Sequence, residues 1–337
     1  MKKTDYFSVR LVNNELVFLD QTLLPYEEKY FTTSSYERIA LAIERLEIRG
    51  APLIGIAAAY ALALSQKEIF NFSLFEKAYE RLKSTRPTAV NLFSALNRVR
   101  KIVDNYNVNN SAKGEIFNLL IAEAKAIHNE DEDMCRLIGI NGLSLFTKKM
   151  NVLTHCNTGK LATGGEGTAF NVIKSAFEND LVNHVYADET RPLFQGSRLT
   201  AFELHKNNIP FSVLPDSAAA SLFALGKVDI VLAGADRIAR NGDSANKIGT
   251  YNLALLANYH DIPFYIAAPS TTIDLTTDDA SGIPIEQRNR SEVIGIFPEN
   301  EVTKNIDVYN PSFDITPSKL ITGIITEKGI FNFPYSF

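Results

Sequence analysis

From Asn151 onward, short apolar segments alternate with helical ones, and that alternation narrows the possible folds more than any other feature of the chain. The apolar segments are Asn151–His155, Leu181–Ala187, Phe211–Leu214, Ile230–Ala233 and Pro263–Ala267. Between them, residues near 167–178, 196–207, 217–225 and 246–259 read as helices. A parallel strand pair needs a long crossover, usually a helix, so this pattern predicts a parallel sheet wrapped by helices. The expected fold is α/β, with a doubly wound, mostly parallel, Rossmann-like domain over 148–337. LITGIITEKGI reads as one more strand, and the polar stretch 276–291 as a loop.

The first 147 residues read differently. FSVRLVNNELVFLD alternates around Asn13-Asn14 and predicts a β-hairpin. Helices are expected over 36–48, from Pro52 through LIGIAAAYALAL, and over 72–83, 89–105 and 112–147. Residues 1–147 are thus expected to form a smaller domain, a short β element plus a helical bundle. LIGIAAAYALAL is too short to span a bilayer and reads as a buried helix, so no membrane partner is expected. Met1-Lys2-Lys3-Thr4-Asp5 leads into no apolar h-region, so no signal peptide is expected. A net charge of −5 without a basic stripe argues against a nucleic-acid partner. Cys135 and Cys156 are the only cysteines, which fits a reducing cytoplasm rather than a disulfide framework.

Ligands of open parallel sheets bind at the carboxyl ends of the strands. Polar and glycine residues collect there: Cys156-Asn157-Thr158-Gly159 after VLTH, Asp188-Glu189-Thr190-Arg191 after VYA, Asp216-Ser217 after VLP, and Asp236-Arg237 after IVLAGA. Cys156 has two readings, a small buried hydrophobe or, given the glycines that follow, an exposed functional thiol. No second cysteine or spaced histidine pair accompanies it, so no metal is expected. His155 should be a packed strand residue facing away from Cys156. Asp236 is either a helix cap or partner of Arg237, or an acid whose apolar surroundings keep it protonated near neutral pH. The glycine run 163–168 fits neither a Walker loop nor G-x-G-x-x-G, so no dinucleotide is expected, but its N–H groups are suited to a phosphate nest. Arg49-Gly50-Ala51-Pro52 opens a helix whose N-terminus attracts an anion. Arg86 precedes another helix, and Asn246-Lys247 is expected to open the helix after Asp236.

These segments resemble the methylthioribose-1-phosphate isomerases, in the wider group that contains the alpha, beta and delta subunits of translation initiation factor 2B. The matching stretches are IRGAPLIGIAAAYALAL, RPTAVNL, LTHCNTGKLATGGEGTA, YADETRPLFQGSRLTAFEL, GADRIARNGDSANKIGTYNLA, PFYIAAPSTTID and IPIEQR. The resemblance implies an aldose-to-ketose isomerisation of a sugar 1-phosphate by a homodimer, without cofactor or metal. It implies catalytic roles for Cys156 and Asp236, and substrate-binding roles for Arg49, Gly50, Ala51, Arg86, Gln195, Asn246 and Lys247. Phe202 stands where Trp is common in the family, and Glu166 where an aromatic is common. A carboxylate at Glu166 would alter the surroundings of the sugar's 5-substituent. Beside methylthioribose 1-phosphate, 5-deoxyribose 1-phosphate and ribose 1,5-bisphosphate are therefore alternative substrates. From another class, a non-catalytic regulatory scaffold like the initiation factor subunits is the rival reading.

Overall fold

A computed structural model describes residues 6–86, 89–106 and 115–337. Met1–Asp5, Pro87, Thr88 and the expected helix start at 112–114 lie outside the described residues. The chain packs as two units: Met1–Arg136 with Thr158–Gly167, and Leu137–Asn157 with Thr168–Phe337.

The first unit begins with antiparallel strands β1 (Val9–Val12), β2 (Glu15–Leu19) and β3 (Tyr30–Thr33). Asn13 and Asn14 both have positive φ, the conformation a tight primed turn demands, and Asn tolerates it better than most residues. Four helices follow: α1 (Tyr36–Glu44), α2 (Ala51–Leu64), α3 (Phe72–Lys83) and α4 (Val90–Asp104). Asn71 caps α3 by accepting the Leu74 N–H at 2.9 Å. Helix α2 is apolar on every side, and Leu53 to Leu64 are all buried in the core of this unit, as a helix without a polar face must be. The long helix α5 (Glu115–Leu143) starts in this unit, and its last residues pack with the second.

The second unit is built on a seven-stranded sheet. Its strands in chain order are β4 (Met150–Thr154), β5 (Val182–Asp188), β6 (Phe211–Leu214), β7 (Ile230–Ala233), β10 (Phe264–Ala267), β13 (Gly323–Thr326) and β14 (Gly329–Asn332). Crossovers run through α6 (Ala169–Glu178), α7 (Ala201–Lys206), α8 (Ala219–Ala224) and α9 (Thr250–Tyr259). The spatial order is β14-β13-β10-β7-β4-β5-β6, parallel except for β14. LITGIITEKGI is thus a hairpin of two strands, turned at Gly329 with φ +133°, rather than one. A small second sheet joins β8 (Arg237–Ala239), β9 (Ser244–Lys247), β11 (Ile273–Asp274) and β12 (Phe313–Thr316). Among the described residues no helix is long and apolar enough to cross a membrane.

The strand order fixes where chemistry can sit. From β4 the chain winds outward through β5 and β6, then returns to the other flank of β4 as β7 and winds away through β10. The direction reverses between β4 and β7, and a doubly wound sheet opens a crevice at such a reversal. Cys156 follows β4 and Asp236 follows β7 at the same sheet edge.

Candidate active site

Cys156 sits just beyond β4 with φ +61°, in the left-handed region that non-glycine residues rarely adopt. Its N–H donates to Thr190 Oγ1 at 2.9 Å, and Thr200 Oγ1 donates to its carbonyl at 2.5 Å. Both partners come from the segment after β5. The residue is only 6% exposed, which fits the buried reading of Cys156 rather than the exposed thiol. The glycines that follow it serve the backbone: at Gly167, φ +102°, a Cβ would lie 2.4 Å from the Thr158 carbonyl. Asn157 turns inward, and its Nδ2 donates to the fully buried Glu203 carboxylate on α7 at 2.5 Å.

His155 is the hub beneath this turn. Its Nδ1 lies 2.9 Å from Asp188 Oδ2 and its Nε2 lies 2.9 Å from the Ile248 carbonyl. A carbonyl only accepts, so Nε2 carries a proton; an ionised Asp188 makes Nδ1 a donor as well. Burial alone would push the His155 imidazolium down, but the hydrogen bond and charge of Asp188, with the charge of Asp216, hold it above its ordinary value. Asp188 is buried too. Asp216 accepts the Thr190 N–H and the Arg191 N–H, one on each oxygen, both at 2.7 Å. His155, Asp188 and Asp216 lie close together; both His155 nitrogens, Asp188 Oδ2 and both Asp216 oxygens are engaged in these hydrogen bonds, while among the described residues the buried Asp188 Oδ1 has no hydrogen-bond partner. The expectation of a packed strand histidine holds for its burial, while its pairing with Asp188, remote in sequence, was not legible.

Asp236 is half-buried in the bend between β7 and β8, and its N–H donates to the Ala245 carbonyl at 2.9 Å. Arg237 pairs with Asp274, its Nε at 2.9 Å from Oδ2, so it is not the partner of Asp236. Asn246 and Lys247 do not open a helix. They end strand β9, whose pairing with β12 sets Asn246 opposite Asp314 and Lys247 opposite Phe313. Gly249, φ +104°, then turns the chain, and α9 begins at Thr250 with Asp314 accepting the N–H groups of Gly249 at 2.7 Å and Tyr251 at 3.1 Å. Only glycine fits there, since a Cβ would stand 2.8 Å from the His155 ring. Asn246 is buried and donates to Thr250 Oγ1 at 2.9 Å; Lys247 Nζ donates to the Ser312 carbonyl at 3.0 Å and lies 4.8 Å from the Phe313 ring centre. Gln195 leads into a π-helical turn, Gly196–Thr200, after β5. It is 5% exposed, and among the described residues its buried Oε1 has no hydrogen-bond partner. Such an orphan is costly unless a ligand satisfies it. In the second unit Cys156, Gln195 and Asp236 thus follow β4, β5 and β7 of the parallel sheet, while Asn246 and Lys247 end β9 of the small sheet.

Arg49, Gly50, Ala51 and Arg86 belong to the first unit. Gly50 precedes α2 with φ +99°, Pro52 stands in the first turn, and no side chain caps the helix, which fits an anion-attracting N-terminus. Against Gly50 packs Ala162, from the glycine loop. A Cβ at Gly50 would lie 2.4 Å from the Ala162 Cα and carbonyl oxygen. Gly50→Ala is therefore expected to destabilise the protein by about 2–3 kcal/mol, read from the urea midpoint, because backbone on backbone has no room to relax.

The glycine loop is tied down within the first unit. Gln21 Nε2 donates to the Leu161 carbonyl at 2.7 Å, and Gly164 N–H donates to Asp131 Oδ2 at 2.7 Å. The N–H expected to join a phosphate nest is thus already taken at Gly164. Glu166 pairs with Lys160 at 2.6 Å. Burial pushes the Asp131 carboxyl up to about 6, against the Gly164 hydrogen bond. A raised carboxyl favours its neutral form in the folded state, so its contribution is complete below its unfolded value and lost as pH rises through about 6. Relative to wild type, Asp131→Asn is expected to be more stable at pH 8 than at pH 5 by about 1.4 kcal/mol, measured by denaturant unfolding at both pH values.

Comparison with known proteins completes the picture. Residues 47–333 match the model of the initiation factor 2 subunit family. The methylthioribose-1-phosphate isomerase of Caldicellulosiruptor saccharolyticus is 50% identical over 327 residues, covering 96% of this chain and 95% of that protein. The crystal structure of 5-methylthioribose 1-phosphate isomerase from Pyrococcus horikoshii OT3 superposes with a TM-score of 0.90 at 40% identity, covering 99% of this chain and 97% of the other. The crystal structure described as translation initiation factor eIF-2B, subunit delta, from A. fulgidus matches with a TM-score of 0.84 at 39% identity, covering 98% and 97%.

Proposed function

The chain belongs to the initiation factor 2 subunit family, and from that premise we propose how it works as a methylthioribose-1-phosphate isomerase. It is an aldose–ketose isomerase that converts 5-methylthioribose 1-phosphate to 5-methylthioribulose 1-phosphate. The observation that carries this reading is the 50% identity along nearly the whole of both chains. The strand ends supply the chemistry.

Phosphate on the anomeric oxygen prevents simple opening to a free aldehyde, so the ring must open with phosphate still attached. Asp236 is the acid of that step: it donates its proton to the ring oxygen as the C1–O bond breaks, leaving an oxocarbenium at C1. Hydrogen then moves from C2 to C1 beside Cys156, and the 2-hydroxyl returns its proton to Asp236 as the ketone forms. The low exposure of Cys156 keeps bulk water from the cationic centre, which supports a direct shift of hydride and a stabilising role for the sulfur. Arg49, Gly50, Ala51, Arg86, Gln195, Asn246 and Lys247 are proposed as substrate-binding residues on the family resemblance. The orphan Oε1 of Gln195 supports its part. Retention of Cys156 and Asp236 together favours an enzyme over a regulatory scaffold.

Two free cysteines support a reducing, cytoplasmic location, and the acidic balance of −5 supports a small-molecule substrate without a nucleic-acid partner. We assign a homodimer, for which light scattering should read twice the 37.4 kDa of the chain. Side-by-side turnover tests the 5-substituent. The methylthio compound is expected to exceed 5-deoxyribose 1-phosphate in kcat/KM by about tenfold or more, the usual worth of an apolar group in a matching pocket. The reverse order would assign the enzyme to deoxyribose salvage, with Glu166 as the residue to exchange next.

A further inference from the structure

We infer that Thr190 is a positioning residue for Cys156: its hydroxyl holds the thiol-bearing residue in the left-handed backbone conformation that the site uses. The inference rests on the reading of Cys156 as catalytic. Three observations within the second unit lead to it.

First, Cys156 with φ +61° is not alone, since Thr190 at φ +64° and Phe194 at φ +57° lie in the left-handed region on the neighbouring turn. A β-branched residue is especially disfavoured there, so a threonine at such a position calls for a compensating interaction. Second, the Thr190 hydroxyl uses both of its capacities. It accepts the Cys156 N–H at 2.9 Å and donates to the Asp188 carbonyl at 3.1 Å. Thr190 is fully buried, so no water replaces either bond. Third, the turn that carries it is itself anchored. Asp216 accepts the N–H groups of Thr190 and Arg191, and a Cβ at Gly196 would fall 1.6 Å from the Asp188 carbonyl, so the turn has no slack. The chain of contacts runs from β6 through Asp216 to Thr190 and on to the backbone of Cys156. This chain of contacts acts on the backbone of Cys156, the residue read as catalytic, so its loss should affect the chemical step rather than binding.

The test compares Thr190→Val, Thr190→Gly and Thr190→Ser in the full-length protein, with Cys156→Ser alongside. Valine keeps the shape and removes the hydroxyl. Glycine accepts the left-handed backbone without strain and also lacks the hydroxyl, so it remains informative if valine fails to fold. Serine restores the hydroxyl. Displacing a reacting group by about an ångström costs roughly 100-fold in rate. Valine and glycine are therefore expected to lower kcat by about 10- to 100-fold with KM within about twofold, and serine to stay within about threefold of wild type. A folded glycine variant with wild-type kcat overturns the inference, as does a serine variant as slow as glycine. If Cys156→Ser keeps full activity, the underlying assignment of Cys156 fails instead, whatever the Thr190 variants do.

Discussion

Asp236→Asn is expected to lower kcat by about 10²- to 10⁴-fold while leaving the fold intact, the range that removal of a general acid usually spans. The carboxamide matches the carboxyl in shape but cannot release a proton to the ring oxygen, and without that proton the furanose stays closed. Asp236 lies in a bend between two strands, and its backbone bond to Ala245 survives the substitution. KM should change little, because the lost interaction strengthens only as charge develops on the leaving oxygen. Steady-state kinetics with circular dichroism as a folding control checks this. A variant with more than about a tenth of wild-type kcat would remove Asp236 from the chemistry.

The largest stability effect should come from beneath the site. Asp188→Ala leaves the His155 ring buried with one nitrogen unpartnered, and breaking a buried pair from one side costs about 3–5 kcal/mol. The substitution also removes the link that ties the end of β5 to the turn before Cys156. The pH dependence follows from the elevated His155. A histidine raised above its unfolded value stabilises fully below that value, about 6.5, and loses the contribution as pH rises through the folded value. The gap between wild type and Asp188→Ala should therefore be widest near pH 6 and narrow under strongly alkaline conditions. Urea unfolding across pH measures it; a gap that widens as pH rises would mean that the pair is held together as neutral groups.

The parallel sheet was legible because strands covered on both faces read as unbroken apolar runs. Ile230–Ala233, buried at every position, lies where its run does. Phe211–Leu214, the edge strand with Ser212 and Val213 exposed, is recognisable from its place between two helices. The small sheet was hidden for the opposite reason. Ser244–Lys247 is polar, its strand character comes from pairing with Phe313–Thr316 far along the chain, and no local periodicity announces that. Local spacing therefore assigns Asn246 and Lys247 to the following helix, whereas Gly249 separates them from it. Tyr30–Thr33, the third strand of the first sheet, was likewise invisible because its pairing with β2 is set across a turn-rich stretch.

The candidate site divides in the same way. Cys156 and Asp236 were legible as strand-end residues, and the reversal of strand order between β4 and β7 is what gives those two ends a common crevice. Of the two readings of Cys156, the buried one holds for its exposure, and its backbone N–H and carbonyl are bonded to Thr190 and Thr200. His155, Asp188, Thr190 and Asp216 were legible as strand-end residues, but their pairing with one another, and that of Asn157 with Glu203 on α7, was not, since the partners are remote in sequence and meet only after the sheet has formed.

The most direct test of the account is conversion of 5-methylthioribose 1-phosphate by the wild-type protein, followed by ¹³C NMR with label at C2. The account predicts loss of the C2 carbinol signal and growth of a ketone signal, with phosphate still esterified at C1. An unchanged substrate spectrum, or release of free phosphate, would contradict it.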